Sequence, residues 1–290
     1  MLTKVVQLSN DMVDKHGDRM SIEALESAEA QTNSKVIVSH NEHDFTYPPI
    51  GRMSHAKLIN NDGVNILLGE FTLFEQDDIE KENLLGEREL ALHQQERGRI
   101  RVLCDRAYET QDLMDDVSQL QELLDSSENL QFELKKSVEP ISTLTLLVGI
   151  GGFVGAGFLN GFLGEAGKDA WASLKSLINK KKLKSDEENH VQFIFDFTNE
   201  FYKVEVMVIF KKPSDQIDQE LKLKQELIEN KVIKYYESSI RAGRIVFLSD
   251  GDELRHVYSV YKCGTPFDIA NKQEYLSLLQ EKKKQMLPQQ

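Results

Sequence analysis

The sequence predicts an α+β protein: a small N-terminal β domain, a long central helix leading into a glycine-rich helical segment, and a C-terminal ββαββ domain with an antiparallel sheet. Three observations lead there. Runs of β type occupy residues 35–76 and return after residue 190. Between them lies a charged region with an apolar stripe at spacings of three and four. The stretch LTLLVGIGGFVGAGFLNGFLG, Leu144 to Gly164, is uncharged and holds seven of the seventeen glycines. A glycine inside a helix costs about 1 kcal/mol relative to alanine, so this density implies that another surface lies close against the backbone.

Taken in order, residues 1–34 read as a helical arm facing a partner, with SIEALESAEA (21–30) as its clearest helix. The small β domain, 35–76, contains KVIVSH, DFTYPPIGRMSHAKLIN and VNILLGEFTLFE. Asn61-Asp62-Gly63 between the last two is a hairpin signal, because Asp and Gly tolerate positive φ. Residues 77–139 read as a long charged helix whose stripe is Leu103, Ala107, Met114, Val117, Leu120 and Leu124, with positions 100–124 offered to a protein partner. Pro140 ends it. Residues 140–184 combine the glycine-rich segment with an amphipathic helix presenting Ala170, Trp171, Leu174, Leu177 and Ile178.

The C-terminal domain, 185–290, starts with two strands around Asn199-Glu200, followed by a helix capped by Ser214 that carries Ile217, Leu221, Leu227 and Ile228. A hairpin across Asp250-Gly251-Asp252 and a last helix over about 272–285 complete it.

Composition narrows the function. The net charge of −13 repels phosphate backbones, so nucleic acid is not the expected partner. Cys104 and Cys263 suggest neither a disulfide framework nor a zinc site, which fits a reducing cytoplasm. The first twenty residues lack the apolar core of a signal peptide.

The glycine-rich segment is long enough for a bilayer, since residues 142–163 give 22 uncharged positions. Gly151–Gly155 and Gly157–Gly161 are GxxxG pairs, the spacing that lets helix backbones touch. Eleven of those positions are Leu, Ile, Val or Phe, worth roughly −5 kcal/mol on an insertion scale. That sum must cover six glycines, Ser142, Thr143, Thr145 and Asn160. Three surfaces therefore remain open for the segment: the C-terminal sheet, a second copy, or lipid reached after assembly.

Chemistry is sparse. His40, His43 and His55 lie in the β domain with Glu42 and Asp44 beside them, but His40-x-x-His43 in an extended chain points to opposite faces, and only a turn at Asn41 would let the pair converge. No metal or cofactor is expected. GIGGFVGAGF looks like a glycine fingerprint for nucleotides, yet it is not read as following a strand within a βαβ unit, and no Lys-Ser/Thr closes a phosphate loop.

His43-Asp44, Pro49-Ile50-Gly51 and the following GVNILLGEFTLF resemble the opening of phage prohead proteases, over about forty residues. The resemblance implies an assemblin-type β-barrel and a general-base role for His43 toward a serine in a Ser-x-Gly context. The charged region after Phe74 departs from that pattern, and Ser249-Asp250-Gly251 is the Ser-x-Gly found downstream.

The expected protein is cytoplasmic and non-catalytic, an oligomerising interaction or effector protein in a bacterial or phage-related setting, with peripheral membrane attachment on activation. Its contact residues are Gly149, Gly151, Phe153, Gly155, Gly157, Phe158, Gly161, Phe162 and Trp171. The alternatives are an adaptor whose glycine segment is ordinary core, and a prohead-type serine protease using His43.

Overall fold

The computed structural model describes residues 2–13, 19–80, 88–92, 100–105, 115, 118, 130–135, 143–149, 190–198, 203–211, 217–250 and 253–287. Its first elements are β1 (Leu2–Asn10), α1 (Ile22–Ser34), β2 (Ile37–Ser39), a 3-10 turn (Asn41–His43), β3 (Gly51–Asn61), β4 (Val64–Leu73) and α2 (Gln76–Glu80). Then follow β5 (Ile100–Asp105), β6 (Leu130–Lys135), β7 (Thr143–Gly149), β8 (His190–Thr198) and β9 (Lys203–Phe210). The chain ends with α3 (Ile217–Glu237), β10 (Ala242–Asp250), β11 (Glu253–Tyr261), β12 (Pro266–Phe267) and α4 (Lys272–Met286). This is α+β. Two compact units divide it: Met1–Ala91 together with Val257–Gln290, and Leu92–His256.

The first unit carries a four-stranded antiparallel sheet in the order β1-β4-β3-β2. The β3–β4 hairpin turns at Asp62 and Gly63, whose φ values of 49° and 84° are the left-handed pair that a two-residue turn requires. Along β4, Leu67, Phe71 and Leu73 fall on one face by strand alternation. Leu67 packs with Leu25 of α1 and Ala56, while Phe71 and Leu73 pack with Ile79 of α2 and Tyr275, Leu276 and Leu279 of α4. Burying each such side chain contributes about 1.5–3 kcal/mol.

Ser21 caps α1 by accepting the Ala24 N–H at 3.2 Å, and the helix then clasps an irregularity in β3. The register of β3 against β4 shifts between Ser54 and Lys57. Asn33 Nδ2 donates to the Ala56 carbonyl and the Leu58 N–H donates to Glu29 Oε1, both at 2.9 Å, so α1 takes up backbone groups at the bulge.

Gly51, the last residue of the Pro-Ile-Gly run, is a close-approach position. A Cβ there would stand 2.5 Å from Phe71 Cε2 and would also collide with the Thr72 carbonyl oxygen. Gly51→Ala is expected to cost about 1–3 kcal/mol through this overpacking, read as a lowered urea midpoint at unchanged slope.

The second unit holds the larger sheet, whose strands follow the order β11-β10-β9-β8-β7-β5-β6. Pairing is mixed: β5–β6, β7–β8 and β9–β10 are parallel, while β5–β7 and β8–β9 are antiparallel. Strands β8 to β10 are buried on both faces, which explains their near-continuous apolar runs. Helix α3 buries Leu221, Ile228, Val232 and Tyr235, a stripe at spacings of seven, four and three. The boundary between units falls inside β11, whose Ser259 and Val260 pair within the first unit with Phe267 and Pro266 of β12.

Several expectations are corrected. The N-terminal arm begins as β1, paired with β4 from Leu2 to Asn10, because the backbone ladder to β4, with Leu2, Val6 and Leu8 partly covered, outweighs its mixed local pattern. The long helix over 77–139 is not continuous: Ile100–Asp105 and Leu130–Lys135 are strands, so the proposed partner helix 100–124 does not start at 100, although Asp115 and Ser118 are helical. Short apolar runs such as RVLC fit both helical and strand periods, and sheet pairing decides between them.

Residues 144–149 are likewise strand, not helix. The C-terminal sheet is not purely antiparallel, since a connection of helix length between β9 and β10 is a crossover, and crossovers join parallel strands. Leu227 lies off the buried stripe and is half exposed. The terminal helix α4 belongs to the core of the first unit. Ser214, the turns at 199–200 and 251–252, and the amphipathic helix around Trp171 lie outside the described residues.

Candidate functional site

The run that resembles the prohead opening forms the loop between β2 and β3, and its backbone is held from inside. The Ile50 N–H donates to the Ser39 carbonyl at 2.8 Å and closes the loop at its base. The 3-10 turn begins at Asn41, with Glu42 in a left-handed conformation at φ 50°. Asp44 Oδ1 accepts the Thr46 N–H at 2.8 Å, a local turn bond typical of Asp.

Three alternate carbonyls of this loop are each bonded by a ring-bearing side chain. His40 Nδ1 lies 3.0 Å from the Tyr47 carbonyl, the Tyr258 hydroxyl donates to the Phe45 carbonyl at 3.0 Å, and the Tyr275 hydroxyl donates to the Pro49 carbonyl at 2.7 Å. A carbonyl oxygen only accepts, so Nδ1 of His40 carries the proton in that contact. The imidazole is buried and tilted against Phe45, with ring centroids 4.6 Å apart. Burial pushes the Tyr275 phenol well above its ordinary range, which keeps it a neutral donor. At the rim the Tyr47 hydroxyl donates to Glu274 Oε1 at 3.2 Å, and that bond to a carboxylate raises the Tyr47 phenol.

The three histidines have separate surroundings. His40 is part of the clamp; His43 ends the 3-10 turn. His55 sits at the β3 bulge at φ 49°, exposed, with Nδ1 2.9 Å from Glu70 Oε2. The turn at Asn41 exists, yet among the described residues no cluster of three or more His, Cys, Asp or Glu side chains is arranged to hold a metal ion. Ser249, next to last in β10, lies in the other unit with 2% exposure. Cys263 is buried and its thiol donates to Thr265 Oγ1 at 3.6 Å.

Of the predicted contact residues, Gly149 is described and ends β7. Gly151, Phe153, Gly155, Gly157, Phe158, Gly161, Phe162 and Trp171 lie outside the described residues. One sequence expectation changes here. The glycine run does leave a strand, and the strands it joins, β7 and β8, are parallel neighbours. The missing-strand reason against a phosphate loop therefore falls; the absent Lys-Ser/Thr stands.

Gly149 also begins a polar row that the sequence reading passed over. It pairs in register with Asp196, Asp196 with Glu205, and Glu205 with Arg244, across four adjacent strands. Arg244 donates through both Nε and a terminal nitrogen to Glu205 Oε2, at 3.0 and 2.9 Å, and the side chains are 7% and 0% exposed. The signal was present: the strands read within 190–211 carry Asp196 and Glu205 in otherwise apolar runs, and the strand read over 244–248 opens with Arg244.

A third feature is the exposed start of the chain. Val5 on β1 is 59% exposed, Met12, Val13 and Met20 are exposed between β1 and α1, and so is Ile22, the first residue of α1. That passage is anchored by Asp11, which accepts from the Asn65 N–H at 2.9 Å and Asn65 Nδ2 at 2.7 Å, and pairs with Arg19. The Asn65 side chain, then its backbone and Arg19, hold the Asp11 carboxyl below the usual carboxylate range.

Among the described residues no helix is long and apolar enough to cross a membrane. No protein-family model matches the chain, and no curated protein or solved structure shows significant similarity to it.

Proposed function

We propose that this protein works by contact and not by catalysis: it self-associates, engages a membrane after assembly, and serves as an effector in a phage-related defence or toxic setting. The observation that carries the reading is the exposed apolar series Val5, Met12, Val13, Met20 and Ile22 at the start of the chain. Scattered exposed apolar residues, such as Leu223 and Leu227 on α3, are ordinary, whereas five within the first twenty-two residues favour a partner surface there. The glycine-rich run from Gly149 to Gly164 supplies a second element suited to close backbone contact. The clamp supports the same reading, since its rings are occupied in holding backbone carbonyls.

The test is the mass of the full chain in solution across a concentration series, by light scattering, with liposome flotation before and after cross-linking. Wild type is expected above monomer mass and, once cross-linked, in the top fraction. Gly155→Leu with Gly157→Leu is expected to abolish flotation by placing side chains where another surface must lie. A strictly monomeric chain that sediments under all conditions overturns the proposal.

A further inference from the structure

We infer that the open edge of β1 receives a second copy of this chain, whose own β1 adds antiparallel about a two-fold axis at Val5. The inference rests on the self-association proposed above and assigns it a surface. β1 is a nine-residue strand that, among the described residues, has β4 as its one strand neighbour, so alternate N–H and C=O groups along it point away from that neighbour. The opposite edge, β2, has three residues and offers little length for pairing.

Long edges are ordinarily blunted by charge or proline. β1 has no proline and no acidic residue, and Lys4 is its one charge, in a chain whose net charge is −13. Two such chains repel at long range, so self-contact is least opposed at a strand free of acids. The register irregularity after Gln7 limits the straight stretch to Leu2–Gln7.

Within that stretch an axis at Val5 sets Thr3 opposite Gln7 of the second copy, Lys4 opposite Val6, and Val5 opposite Val5. No like charges face each other. Val5, 59% exposed in the single chain, gains a β-branched cross-strand neighbour. A two-fold contact of this kind closes on itself and stops at the dimer.

The experiment is sedimentation of the full chain carrying Val5→Lys or Val5→Glu, alone and mixed in equal amounts. Each variant alone is expected to self-associate at least about tenfold more weakly than wild type, because like charges face each other across the axis. The mixture is expected to regain wild-type association, since Lys then faces Glu. Far-ultraviolet circular dichroism of both variants should match wild type, as the site is on the surface. Unchanged association in both variants overturns this surface while self-association itself stands. Loss in both with no recovery on mixing overturns the two-fold register, and a monomeric wild type overturns the inference and the reading beneath it together.

Discussion

Arg244→Ala is expected to destabilise the second unit by about 3–5 kcal/mol, the cost of leaving a buried carboxylate without its counter-charge. Glu205 is fully buried, and both bonds from Arg244 end on one of its oxygens. Asp196 is the register neighbour of Glu205 on the next strand, so removing the guanidinium leaves two carboxylates side by side. With typical domain stabilities of about 5–15 kcal/mol, such a loss shifts the urea midpoint severely. The control is Arg244→Met with Glu205→Leu, which removes both charges and is expected to recover most of the loss. If the single variant costs less than about 1 kcal/mol, the pair is solvated in practice and its role in the sheet is small.

Tyr275→Ala should be comparably damaging in the first unit, at about 3–5 kcal/mol, the range for truncating a large buried ring. The ring is 1% exposed in the cluster formed with Phe71, Leu73, Phe74 and Ile79. Tyr275→Phe keeps the ring and removes the hydroxyl, leaving the Pro49 carbonyl unpaired, for about 1–3 kcal/mol. The two variants separate packing from clamping by their unfolding midpoints. Limited proteolysis adds an independent readout: cleavage between residues 41 and 50 should accelerate in Tyr275→Phe while the rest of the first unit stays resistant. Equal cleavage in wild type and variant would show that the hydroxyl does not hold the loop.

Much of the fold was legible because local chemistry and tertiary packing agree there. The run SIEALESAEA announced α1, Asn61-Asp62-Gly63 announced the β3–β4 hairpin, and the ββαββ order of β8 to β11 followed from its apolar runs. Failures cluster where a short apolar run satisfies both periods, as in β5 and β7, or where a charged residue interrupts a strand, as Lys4 does in β1. The place of α4 was not legible at all, since Tyr275 reaching Pro49 is a contact between sequence ends that no local pattern encodes.

The candidate site divides in the same way. The His-Asp and Pro-Ile-Gly run stands out in the sequence by its resemblance, whereas the closed loop it forms and the glycine it places under the Phe71 ring depend on contacts from other elements. The charged row was legible in principle, because Asp196, Glu205 and Arg244, each set within an apolar strand, call for mutual pairing.

The first unit is assembled from the two ends of the chain, with everything from Leu92 to His256 interposed. A ribosome therefore releases β1 to β4 long before it makes the residues that cover Phe71 and Leu73. During that interval the nascent sheet exposes an oily face together with an unpaired border, the combination that invites wrong partners. The inserted unit can mature first, whereas its host must wait for α4 to emerge, which leaves the early strands in need of protection over that interval.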